Sequence, residues 1–91
     1  SPMRDLLERH FPEARIAMEL GSIAAVKGNV AAGVGVALVP VSAVRHTITD
    51  GRLAERTDDR TPLHRRLVLV HRSVDRLTSA ASALRLLLLA G

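Results

Sequence analysis

The run from Arg15 to Pro40, RIAMELGSIAAVKGNVAAGVGVALVP, constrains the backbone more than any other part of the chain, because its apolar period changes from two to 3.6 and back again without a break. Arg15 to Leu20 alternates: Ile16, Met18 and Leu20 fall on one face and Arg15, Ala17 and Glu19 on the other, as in a half-buried strand. Gly21 permits a turn. Ser22 is placed to cap a helix by accepting a hydrogen bond from a free N–H of its first turn, and Ile23, Val26 and Val30 then share one helical face. Gly33 predicts the helix end, since glycine enters the left-handed conformation at least cost. Val34 to Val39, broken only by Gly35 and bounded by Gly33 and Pro40, is too short for a helix and reads as a buried parallel strand. The whole is a βαβ unit. In open α/β sheets ligands bind beyond the carboxyl ends of the strands, here Leu20 to Ser22 and Val39 to Ser42.

The flanks extend this unit on both sides. Ser1 as cap, Pro2 at the first helical position and the stripe Leu6, Leu7 and Phe11 predict a first helix closed by Pro12. After Pro40, Val41 to His46 has room for one or two helical turns, and Asp50-Gly51 signals a turn. Arg52 to Thr57 reads as a polar strand anchored by Leu53, and Asp58 to Pro62 as a charged loop. Arg65 to Arg72, with its apolar centre Leu67 to Val70, predicts a strand antiparallel to its predecessor, with Arg65 and Arg66 at a solvated end. A charged turn at Ser73 to Arg76 leads to Thr78, which can cap a last helix, Ser79 to Ala90. That helix would carry Leu84 and the four leucines 86 to 89, more than one helical face can hold, so it requires burial on two sides.

With 91 residues the chain is one domain at most, with a modest core. That core must be built from Val, Leu, Ile and Ala, because Phe11 is the single aromatic residue. The absence of cysteine excludes disulfides and thiolate metal sites and suits a cytoplasmic location. The net charge of +4 comes from twelve arginines and one lysine, Lys27, scattered among acidic residues without a basic helical stripe, which argues against direct nucleic-acid binding. No stretch has the roughly 18 to 20 apolar residues of a membrane span. His10, His46, His64 and His71 lack metal-ligand spacing, no serine sits in a nucleophile-elbow motif, and Gly33-Val34-Gly35 follows a helix rather than opening one. No metal, cofactor or catalytic residue is expected.

The ordered residues Glu19 to Ser22 (ELGS), Val26 to Gly28, and Val30 to Pro40 (V-x-x-G-x-G-V-A-L-x-P) resemble the effector-binding domain of LysR-type transcriptional regulators. Arg4, Leu7, Glu8 and Phe11 are similar to that family's R-x-x-L-E-x-x-F helix opening. Gly51-Arg52-Leu53 and Leu63 to Arg72 are similar to its later strands, and Leu77 to Leu88 to its closing helix. The resemblance implies an α/β fold: a βαβ unit plus antiparallel strands forming most of one subdomain of a periplasmic-binding-protein-like domain, with a C-terminal helix. Residues 1 to about 72 would be most of the second subdomain, and about 73 to 91 a return segment of the first. The DNA-binding helix-turn-helix would lie outside this chain, which would then be part of a homo-oligomer whose C-terminal helix packs on its own core or on a neighbouring chain. Two departures from the family are visible. Ser1, Pro2, Met3 and Arg4 stand where S-G-T-R is frequent, and the segment from Phe11 to Arg15 is shorter.

The resemblance implies that Glu19, Leu20, Gly21, Ser22, Pro40, Val41 and Ser42 line one wall of a small-molecule effector cleft, with the free N–H groups after Gly21 suited to a carboxylate or phosphate. Each residue also has a plainer reading: Ser22 as an N-cap, Glu19 as a salt-bridged carboxylate, Pro40 as a strand stop. Effector sensing in a transcription regulator is the leading expectation. Part of a solute-binding protein is the alternative, and a small α/β enzyme a more distant one.

Overall fold

The computed structural model describes residues 1–75 and 84–90. Helix α1 spans Pro2–His10, with the Ser1 side chain accepting from the Arg4 N–H at 3.2 Å and Pro2 in the first turn. Strand β1 is Arg15–Leu20, helix α2 Ile23–Ala31 and strand β2 Val36–Pro40. A 3-10 turn at Val41–Ala43 and the short helix α3, Arg45–Thr49, lead to β3, Leu53–Arg56, which is followed by β4, Leu67–Arg72, and β5, Arg85–Leu89. Helix α2 ends as its glycine demands. Gly33 has φ of 81°, its N–H bonds to the Val30 carbonyl and that of Val34 to the Asn29 carbonyl, the paired closure of a Schellman motif.

The five strands form one sheet in the order β1-β5-β2-β4-β3. β1 and β2 are parallel to β5, which lies between them, and β4 is antiparallel to both β2 and β3. The βαβ unit is therefore real, but its two strands do not touch. One sheet face carries α1, with Leu7 and Phe11 packed on Leu38, Leu69, Leu86 and Leu88. The opposite face carries α2, with Val26 and Val30 packed on Ala37, Val39, Val70 and Leu87.

The C-terminal segment departs from the sequence expectation. Residues 76–83, which include the Thr78 cap and the first part of the expected helix, lie outside the described residues. Leu84 to Ala90 contains no helix: Arg85–Leu89 is an interior strand of the sheet, between β1 and β2. The physical reason is the demand that the leucines themselves make. A run of Leu86, Leu87 and Leu88 needs apolar cover on two sides, and an interior strand offers both, Leu86 and Leu88 facing the α1 layer and Leu87 the α2 layer. The segment thus packs within its own chain, in one sheet with residues 15–72.

β1 also differs from a simple alternation. Ile16 pairs with Leu86 but Met18 with Leu87, so Ala17 is an extra residue in the ladder, a bulge. The bulge inverts the faces beyond it: Ile16 packs in the α1 layer, Ala17 and Leu20 in the α2 layer, and Met18 is left 38% exposed on the edge strand.

An arginine clasp ties the loop after β3 to the end of α1. The Arg60 guanidinium lies 4.1 Å from the centre of the Phe11 ring, donates to both Asp58 carboxylate oxygens and both Glu13 carboxylate oxygens, and reaches the His10 carbonyl at 3.2 Å. Its hydrogen bonds hold the Asp58 carboxyl below its ordinary pKa; for Glu13 a backbone N–H contributes most and Arg60 adds to it. Carboxylates lowered in the folded state stabilise it above their unfolded pKa and lose that effect as pH falls through the folded value. Arg60→Met should therefore cost about 1 kcal/mol at pH 7, reflecting partly exposed ion pairs and one cation–π contact. In urea unfolding, that gap should shrink progressively below about pH 4.

Candidate functional site

Three parallel strands end along one rim of the sheet, β1 at Leu20, β5 at Leu89 and β2 at Pro40. Both stretches singled out in the sequence, Glu19 to Ser22 and Pro40 to Ser42, are on this rim. They are separated by the end of β5, whose Ala90 N–H donates to the Leu20 carbonyl at 2.7 Å, so two strand spacings, about 10 Å, lie between them.

On the β1 side, Ser22 is the N-cap of α2: its backbone is extended, with φ −148° and ψ 154°, and its Oγ accepts from the Ala25 N–H at 3.1 Å. The first turn of α2 contains no acidic residue, so the positive end of the helix faces the rim without a side-chain counter-charge there. Gly21 does not need glycine's left-handed freedom; instead the space where its side chain would be is open, with no atom within 4 Å. Glu19 is engaged: its Oε2 accepts from Arg4 Nη2 at 3.2 Å, both side chains being about 40% exposed. That bond fastens the start of α1 to the end of β1. The α1 N-terminus therefore borders the same rim, a partner that a spacing of fifteen residues does not disclose.

On the β2 side, Pro40 is the last residue of the strand rather than a stop beyond it, paired with Leu67. Its missing N–H removes one possible ladder bond. The Val41 N–H takes up the Arg66 carbonyl at 2.7 Å, and Val41 packs against the α2 layer while Ser42 is exposed. Behind Ser42, the Ala43 carbonyl accepts from Lys27 Nζ at 3.1 Å, which fastens this turn to α2.

Arg65 and Arg66, expected at a solvated strand end, belong to a tight turn just before β4 that is closed by a bridge between Leu63 and Leu67. His64 and Arg65 both have positive φ, 50° and 62°. The turn sets three exposed basic residues, His64 to Arg66, beside Val41. No periodicity in the sequence reveals this neighbour, because it depends on the pairing of β2 with β4.

The rim can thus offer unpaired helix N–H groups, two exposed serine hydroxyls and a basic border, a set suited to binding an anionic or polar small molecule. Among the described residues no group of His, Asp or Glu is arranged to hold a metal, and no helix is long and apolar enough to cross a membrane.

Comparison with known proteins adds an independent line. The family model for the LysR substrate binding domain matches residues 1–91. Among curated relatives, an HTH-type transcriptional regulator, CbbR of Xanthobacter flavus, is 37% identical over 89 residues. The match covers 92% of this chain and 27% of that relative, so the chain spans about a quarter of its length. No solved structure matches.

Proposed function

Because this chain belongs to the LysR substrate-binding-domain family, we propose that it provides one wall of the effector-sensing site of a transcription regulator, with the carboxyl rim of the sheet as that wall. The observation that carries this reading is the convergence on one rim of three parallel strand ends and the Ser22-capped start of α2, above open space at Gly21. Glu19 shapes the wall through its bond to Arg4, while Leu20, Gly21 and Ser22 present backbone and hydroxyl groups. Pro40, Val41 and Ser42 form the opposite side. The expected effector is a small carboxylate or phosphorylated compound, drawn by the helix terminus and the basic turn at 64–66.

In the intact protein a DNA-binding domain outside this chain contacts the operator, and effector binding shifts the population of subunit arrangements in a homo-oligomer. The name of the Xanthobacter flavus relative, an HTH-type regulator, supports this division of labour. Residues 1 to about 72 are assigned to the second subdomain of the family's two-subdomain domain. A non-enzymatic, cytoplasmic role accords with a regulator.

Melting of the intact protein in the presence of small carboxylates and phosphorylated metabolites tests the reading. An effector present at a hundred times its Kd should stabilise by about 2.7 kcal/mol. Ser22→Asp retains a good N-cap but sets a negative charge at the helix start, and should abolish the response with little loss of basal stability. An unchanged response in Ser22→Asp and in Ser42→Asp would remove the rim from consideration.

A further inference from the structure

On the α2 side of the sheet, behind the turn that follows β2, an open groove runs between α2 and α3, lined by Ala24, Lys27, Gly28, Ala31, Thr47 and Arg52 and with a volume of about 210 Å³. Three features of this groove are left unexplained by packing.

The first is Gly28. It lies in the interior of α2, where glycine is the poorest helix former after proline, yet its φ is not positive and a side chain there would meet nothing within 4 Å. Neither backbone strain nor close packing requires glycine; what its absent side chain does is keep the groove open.

The second is Thr47, which is 5% exposed, the one buried polar residue among the described core. The neighbouring Thr49 hydroxyl follows the usual helical habit and donates to the carbonyl four residues back, Arg45, at 2.9 Å. The corresponding carbonyl for Thr47 is Ala43, which accepts from Lys27 Nζ. The Thr47 hydroxyl has no hydrogen-bond partner among the described residues. Since no side-chain oxygen there is both fully enclosed and unpaired, the little surface that Thr47 keeps includes this hydroxyl, open to the groove it lines.

The third is Lys27, the sole lysine of the chain. Its half-buried ammonium uses one of three N–H groups on Ala43, and no carboxylate pairs with it among the described residues. Arg52, on the same groove, bonds one oxygen of Asp50 at 3.4 Å with a single Nη, its other donors remaining available.

We propose that this groove is a second, separate binding site for a phosphate or phosphate-monoester group, which accepts from Lys27 Nζ, the Thr47 hydroxyl and the Arg52 guanidinium. A tetrahedral oxyanion has acceptors enough for donors arriving from α2, α3 and the turn before β3, and it supplies the counter-charge that the half-buried Lys27 lacks. The small walls Ala24, Gly28 and Ala31 leave room for the ester's organic part.

The test is thermal melting of the intact protein in phosphate-free buffer at constant ionic strength, titrated with inorganic phosphate, with glycerol 3-phosphate and with acetate as control. Phosphate and the ester should raise Tm saturably, by roughly 3–6 °C at ten times Kd for an effector domain of about 150–250 residues. In a Ser22→Asp background, where the rim no longer takes anions, Lys27→Met should remove the response, and Thr47→Val, which preserves the packing, should weaken it. Gly28→Gln should raise the basal Tm by restoring helix propensity while removing the response, because its side chain fills the groove. Ser22→Asp should leave the response intact, which separates this site from the rim. A shift that is linear in phosphate, or equal in the parent, Lys27→Met and Gly28→Gln, would overturn the proposal. So would a shift lost in Ser22→Asp but kept in Lys27→Met.

Discussion

Leu88→Ala is expected to lower stability by about 2–5 kcal/mol, the range for deleting a leucine side chain from a packed core that cannot collapse around the gap. A domain of this length has only about 5–14 kcal/mol in total, so one substitution removes a large share. The measurement is urea unfolding at constant m-value, and the pattern across neighbours matters more than the single number. Leu86, Leu87 and Leu88 are each no more than 1% exposed, alternating between the α1 and α2 layers, so alanine at any of the three should fall in the same range. A surface helix through these residues would turn at least one of them outward and make its replacement nearly neutral. Three comparable losses are the signature of an interior strand, and one silent position among the three would contradict it.

Gly35→Ala should cost about 1–3 kcal/mol, the usual penalty for forcing a methyl group into a filled interior. A Cβ at Gly35 would sit 2.6 Å from the Arg85 carbonyl oxygen and 3.2 Å from Leu87 Cγ. The first of these is backbone of β5, which cannot swing aside as a side chain could. The penalty is steric alone, since Gly35 is not in the left-handed region. Gly21→Ala provides the control: with nothing within 4 Å of its Cβ, it should be neutral or stabilise by about 0.4–1 kcal/mol through the unfolded chain. Comparable destabilisation by the two substitutions in thermal melts would contradict this account of Gly35. Glycine at 35 therefore serves the close approach of a neighbouring strand.

Much of this architecture is written locally. The strand at Arg15–Leu20, the Ser22 cap, the Gly33 stop, the apolar strand before Pro40 and the strand ending at Arg72 each follow from a pattern within a few residues, and each is found where the pattern puts it. The last strand was not legible in this way. Four successive leucines have no period, and leucine is a strong helix former, so local propensity favours a helix that tertiary packing overrides. The criterion that makes Val34 to Val39 a buried strand, an apolar run too short for a helix, fits Leu86 to Leu89 equally, and a strand is what the sheet adopts there. The bulge at Ala17 escaped for a related reason, because register is set by the partner strand. At the rim, the cap on Ser22 was readable, whereas the Arg4 bond to Glu19, the crossing of Ala90 and the basic turn beside Val41 all join residues far apart in sequence.

The place of β5 between β1 and β2 also dictates when this domain can assemble. Arg15 pairs with Arg85, seventy residues later, so β1 has no strand of this sheet beside it until residues 85–89 have been synthesised. During translation the β2, β4 and β3 ladder can form first, leaving the edge of β2 bare and the leucine-lined faces uncovered. Closure is then a late, long-range event, slow for its size because the chain must lose loop entropy before those contacts repay it. A nascent chain paused before Leu86 would present an open strand edge to its surroundings, an aggregation hazard that ends only when β5 is inserted.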